Sequence, residues 1–146
     1  MLLQQKSNYI IMKSIGSIII TLLSAALGAF FIYKGIDKHF LSECKVYGPD
    51  STLPQDYMNL MTALCGSGFT KVVGFLEILS GLLLIFPRTR LLGSIIFMPV
   101  IITIFLFHLF IDNRPHELVE TGIPLAINVL VFAYHYNDWK CLLFKK

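Results

Sequence analysis

The chain has 146 residues, of which 55% are hydrophobic and only 14% charged, and its formal net charge is +3. Soluble domains carry about 25% charged residues, and a core built from so short a chain cannot bury this apolar surplus. A lipid-facing surface resolves the excess; the basic residues stand at the ends of apolar runs rather than among aromatics, which leaves nucleic-acid binding without support.

The first apolar run covers about residues 9–35. It is too long for a signal-peptide core of about 7–15 residues, so it is expected to remain as a membrane helix. Ser17, Thr21, Ser24, Gly28 and Gly35 recur along it at helical spacing, and such small residues let a second backbone approach closely. From Ile36 to Thr70 the chain turns polar and shows no spanning pattern. Gly48-Pro49-Asp50 is a turn signal, Pro54 to Leu64 predicts a short amphipathic helix on the membrane surface, and Gly66-Ser67-Gly68 ends it. A second span is expected over about 70–86, stopped by Pro87. The third, about 89–111, contains Pro99, where a kink is expected. A polar connection, Asp112 to Glu117, leads to the fourth span, about 118–136. Pro124 lies near its entry, and Tyr134, Tyr136 and Trp139 form an aromatic anchor at its exit. The expected fold is therefore all-α: one domain, residues 1–146, a transmembrane four-helix bundle with a long extracytoplasmic loop between helices 1 and 2.

Four spans place both termini on one side. That side carries Lys6, Lys13, Arg88, Arg90, Lys140, Lys145 and Lys146, against Lys34, Lys38, Lys45, Lys71 and Arg114 on the other. The excess of positive charge assigns the termini to the cytoplasmic side. A bacterial inner membrane is the first expectation and an organelle membrane the alternative. Cys44 and Cys65 then share the outer loop, as a structural disulfide in an oxidising exterior or as two free thiols in a reducing one. A redox-active pair is the weaker reading, because no Cys-x-x-Cys tunes a thiolate. Cys141 falls on the inner side.

An ionisable group inside a membrane segment is costly and marks a candidate site. Glu77 is such a group, roughly 15 Å above the Arg88 turn by helical rise. Its helical neighbours Gly74, Ser80 and Gly81 are small or polar and should turn it toward other helices. Asn128, Thr21 and Ser24 lie at comparable depth as hydrogen-bond partners. A structural clasp and a role in proton or ligand handling carry equal weight for this intramembrane polar set. Nearer the outer surface, His108 and Asp112 are one turn apart and should pair. An outer polar cluster of Lys34, Lys38, His108, Asp112, His116 and Glu120 is expected, well separated in depth from Glu77. It would bind a lipid or quinone headgroup or another subunit, or serve only as an interfacial ion-pair network. His108 and His116 have no recognised metal-ligand spacing, so no metal is expected. No phosphate-binding glycine loop, His-Glu-x-x-His or Gly-x-Ser-x-Gly occurs, and no catalytic residue is assigned.

The end of the first span, LGAFFIYKGIDKHF, has an aromatic-rich run followed by Gly35 and Lys38. The later stretches GFLEILSGLLLIFPRTRLLG and FLFH carry a Gly-x-x-Glu-x-x-x-Gly run, a Pro/Arg turn and a distal His. Together these segments resemble the DoxX-like family of small four-helix membrane proteins, outside the long loop with its two cysteines. The resemblance implies a four-helix integral membrane protein. Members of that family include small subunits of quinone-linked sulfur oxidoreductases and components of redox-stress complexes, and a distant animal relative assists receptor assembly. It leads us to expect an accessory, noncatalytic subunit of a quinone-linked membrane redox complex, with quinone or lipid as ligand and membrane lipids and protein subunits as partners. The alternatives are a membrane-protein assembly factor and a small proton-coupled transporter, the latter motivated by Glu77.

Overall fold

Apolar runs of this length satisfy their backbone polar groups by closing hydrogen bonds within each segment. The computed structural model describes residues 2–48 and 50–143, with side chains described from Ser14 to Lys140 apart from Pro49, and no strand occurs among the described residues. The side chains of Lys6, Lys13, Cys141, Lys145 and Lys146, which enter the expected orientation, lie outside that range. Helix α1 (Leu2–Ile36) passes directly into a π-helical turn, Asp37–Leu41. Then follow α2 (Gln55–Gly66), α3 (Phe69–Ile85) and α4 (Arg90–Phe107), which ends in a second π-helical turn, His108–Asp112. Helices α5 (Pro115–Tyr134) and α6 (Tyr136–Leu143) complete the chain.

Three segments are long and apolar enough to cross a membrane: Ser14–Leu41, Arg90–Asp112 and Pro115–Tyr134. A fourth exists only if α2 and α3 count as one broken span, bent by 81°. The bend has a local cause. Gly68 takes a left-handed φ of +75°, a conformation glycine adopts at little steric cost. Its N–H caps Cys65 O, and the next helix restarts from its carbonyl, which accepts from Lys71 N.

Helix α1 packs on α3, α3 on α4, α4 on α5, and α5 closes back on α1. The tightest of these contacts has no side chain between the backbones. A Cβ on Gly28 would lie 2.5 Å from Gly81 O, and one on Gly81 would lie 2.7 Å from Gly28 O. Gly93 does the same between α4 and α3, where a Cβ would sit 2.8 Å from Leu84 N. Around these contacts a core forms from Ile20, Leu27, Phe31, Leu84, Phe97, Ile101 and Val131. Phe31 and Phe97 meet edge to face at 4.3 Å. Large apolar side chains also cover the outside, among them Ile18, Leu22, Phe75, Leu92 and Phe110. Apolar residues on both faces of a helix are what a lipid-facing packing requires.

Two expectations need correction. The polar connection expected over Asp112–Glu117 shrinks to Asn113 and Arg114. Asn113 adopts a left-handed φ of 49° and its N–H bonds to His108 O at 2.6 Å. Pro115 opens α5 at once, its missing N–H being no loss in a first turn, so His116 and Glu117 are helical. The long loop is also shorter than the polarity change at Ile36 implies, because the π-helical turn carries helical structure on to Leu41. Helices α4 and α5 run through Pro99 and Pro124, and Thr103 Oγ1 donates to Pro99 O at 2.8 Å. At the far end Trp139 stacks on Phe132 at 5.0 Å and donates Nε1–H to its carbonyl at 3.3 Å.

The Gly28–Gly81 contact is testable. Gly28→Ala should push α1 off α3 and destabilise the protein by about 1–3 kcal/mol, the usual range for overpacking. Thermal unfolding in detergent should show a lower midpoint for Gly28→Ala. Gly66→Ala, whose Cβ would meet nothing within 4 Å, should leave the midpoint unchanged.

Candidate functional site

Both π-helical turns end at one cavity of about 400 Å³. Phe30, Phe31, Ile101 and Ile104 supply an apolar lining, and His39, Glu77, His108, Glu117, Lys34 and Glu120 bring the ionisable groups. Tyr57, Met61 and Cys65 of α2 form another wall, with Cys44, Lys45 and Tyr47 of the preceding loop. A π-helical turn inserts one residue into a helix and re-aims the side chains around it; such turns recur at functional sites. Here they carry His39 and His108.

Glu77 is buried, and so are its neighbours Gly74, Ser80 and Gly81. Its partner is His39, with Nε2 3.1 Å from Glu77 Oε2 and the two side chains 7% and 5% exposed. The pair is close but not aligned as a hydrogen bond, since both atoms lack a well-directed partner among the described residues. Gly74 makes the room for it. A Cβ at Gly74 would fall 2.5 Å from His39 Cβ, so any larger residue one turn before Glu77 would expel the imidazole. His39 is the residue that sequence reasoning missed.

The second imidazole is held differently. His108 Nδ1 lies 2.9 Å from Asp112 Oδ2, and His108 Nε2 lies 3.8 Å from Glu117 Oε2. Asp112, whose side chain is fully buried, uses its other oxygen to accept from Arg114 Nε at 2.6 Å. Arg114 Nη2 continues to Glu117 Oε1 at 3.1 Å, and its guanidinium stacks 5.5 Å from the Tyr57 ring. The bond to Asp112 raises the already high pKa of Arg114. Tyr57 adds a phenolic O–H donor to this wall. At the rim Lys34 Nζ donates to Glu120 Oε1 at 2.6 Å, with both side chains more than one-third exposed.

The expected outer cluster is therefore two groups. Lys34 pairs with Glu120, and His108 with Asp112, Arg114 and Glu117. Lys38 lines the cavity, and His116 is exposed with its Nε2 3.7 Å from Glu117. Glu77 and His108 line the same cavity, each paired with a different partner.

Of the other polar residues expected near Glu77, Ser80 is beside it and donates Oγ to Glu77 O at 3.1 Å, whereas the rest pair elsewhere. Asn128 Nδ2 donates to Ser94 O at 3.1 Å, and Ser94 Oγ donates to Asn128 O at 3.3 Å. This clasp joins α4 to α5 and does not include Glu77. Ser80 Oγ donates to Leu76 O at 2.7 Å, Thr21 Oγ1 to Ser17 O at 2.8 Å, and Ser24 Oγ to Thr21 O at 3.1 Å. Short hydroxyl side chains bond back to their own helix, which leaves the longer imidazole to reach the carboxylate. Cys44 and Cys65 are joined by a disulfide with Cα atoms 5.9 Å apart.

No family model matches the chain, and no solved structure matches it. Over 58 residues, 40% of its length, it is 50% identical to the uncharacterized protein YwoB of Bacillus subtilis (strain 168). The chain spans 38% of that protein's length.

Burial ranks the ion pairs. Removing one partner of a buried pair leaves the other charge uncompensated and costs about 3–5 kcal/mol, whereas an exposed pair contributes about 0–1 kcal/mol. Asp112→Asn should therefore lower the unfolding midpoint strongly, while a double-mutant cycle on Lys34→Met and Glu120→Met should return a small coupling energy. Chemical denaturation in mixed micelles measures both.

Proposed function

We propose that the chain is a four-span membrane bundle, with its termini on the cytoplasmic side and its cavity on the outer face. In this reading the cavity takes the headgroup of a quinone-type amphiphile, and the protein serves as an accessory subunit of a membrane redox complex. One observation carries the reading: a single cavity combines an aromatic and aliphatic lining with two buried imidazole–carboxylate pairs. A quinone ring needs an apolar slot, and its two carbonyl oxygens need hydrogen-bond donors. Phe30, Phe31, Ile101 and Ile104 suit the first need. The imidazoles and the Tyr57 O–H suit the second. Reduction of a quinone takes up two protons with two electrons. The electrons would come from a partner subunit.

The DoxX-like resemblance favours the same assignment and adds the membrane-complex setting. A lipid headgroup shares the apolar requirement but brings a phosphate; the lining carries Lys34, Lys38, Lys45 and Lys71 as well as acids, so phospholipid is the competing outcome of the test.

The test begins with full-length protein purified in mild detergent from its native membrane. Extraction and mass spectrometry should recover quinone in near-stoichiometric amount. His108→Gln should weaken retention of a short-chain quinone in equilibrium dialysis by about tenfold, which corresponds to one hydrogen bond of about 1.4 kcal/mol. Recovery of phospholipid alone, or equal retention by the variant, would remove the reading.

A further inference from the structure

The Cys44–Cys65 bond borders two cavities. Both cysteines line the inner cavity. Cys44 also lines a second cavity of about 450 Å³, set between the loop Lys45–Gly48 and the face of α2 that carries Gln55, Asn59 and Gly66. Cys44, Lys45 and Tyr47 are thus common to two cavities. Cys44 is exposed and Cys65 half-buried. An incoming thiolate reaches the accessible sulfur of a disulfide, and the sulfur that leaves is favoured by nearby cations. Lys45 and Lys71 line the inner cavity with the two cysteines.

We infer that Cys44–Cys65 is a thiol-oxidising centre, fed by dithiols of peptides or proteins at the outer cavity and reoxidised by quinone in the inner one. The inference rests on the quinone reading above.

The chemistry balances as follows. A substrate thiolate attacks Cys44 Sγ, the Cys44–Cys65 bond breaks, and Cys65 leaves as thiolate. The second substrate thiol displaces Cys44 and the substrate departs as a disulfide. Cys44 and Cys65, now a dithiol, give two electrons and two protons to the quinone. Hydroquinone forms and the Cys44–Cys65 bond is restored. Lack of a Cys-x-x-Cys spacing does not forbid this, because the fold brings the two sulfurs together across 21 residues.

The experiment follows consumption of a short-chain benzoquinone by a reduced dithiol peptide under anaerobic conditions, with full-length protein in detergent. The wild type should accelerate the reaction at least about tenfold over peptide and quinone alone, a barrier change of about 1.4 kcal/mol. Cys44→Ser and Cys65→Ser should fall to that background. Quinone retained but not consumed would overturn the inference and leave the binding reading standing. Stoichiometric reduction of the disulfide without quinone consumption would overturn it as well. Neither binding nor turnover would overturn both.

Discussion

Two backbones in contact set the geometry of the rest. Where Gly28 meets Gly81 and Gly35 meets Gly74, α1 and α3 approach without side chains between them. In apolar surroundings there is little hydrophobic drive between helices, so close van der Waals packing carries the association. That approach has a chemical consequence at its upper end. It brings the continuation of α1 so near to α3 that the side chain of His39 must enter the slot left by Gly74. There it lies against Glu77. A carboxylate buried among apolar helices is strongly disfavoured unless another group answers it, and the glycine contact supplies the answering group.

The two acid–imidazole pairs differ in how they are supported. Asp112 has both oxygens engaged, one by His108 and one by Arg114, and the network continues through Glu117 to the protein surface. Such a fully connected set holds its members in one arrangement. The His39–Glu77 contact is closer to the centre of the bundle and lacks a well-directed hydrogen bond. It is held by packing against Gly74 rather than by a chain of donors and acceptors. The first pair is fixed by a connected set of bonds, whereas the second is held by its surroundings alone.

The sequence makes the helices legible because a long apolar run has few alternatives. The expected third span, about 89–111, agrees to within one residue at each end with the helical stretch from Arg90 to Asp112. The stripe of Gly28 and Gly35 on α1, and of Gly74 and Gly81 on α3, is visible as spacing and lies where the backbones meet. The partner of Glu77 is harder to read. His39 stands four residues beyond Gly35, so extending the glycine stripe by one turn would have found it. The change to polar residues at Ile36 instead suggests that the helix has ended. A π-helical turn leaves little trace in hydropathy, and both imidazoles depend on one. The polar residues at mid-depth mislead for another reason. Depth alone does not say which face a side chain occupies, and Asn128 faces Ser94 across α4 and α5.

The cavity wall is the least regular part of the chain, and this shapes what it can do. Residues 43–48 have no helical or strand hydrogen bonding, so their position over the cavity depends on side-chain attachments. The bond from Cys44 to Cys65 is the covalent one. A wall fixed in this way has a single point whose breakage changes the shape of the space behind it. A helix-built wall would hold its shape through many backbone bonds and could not be opened by the chemistry of two sulfurs. The disulfide joins the irregular segment to α2 and lines the same cavity as His39 and His108, so one covalent bond fixes a wall that no backbone ladder holds.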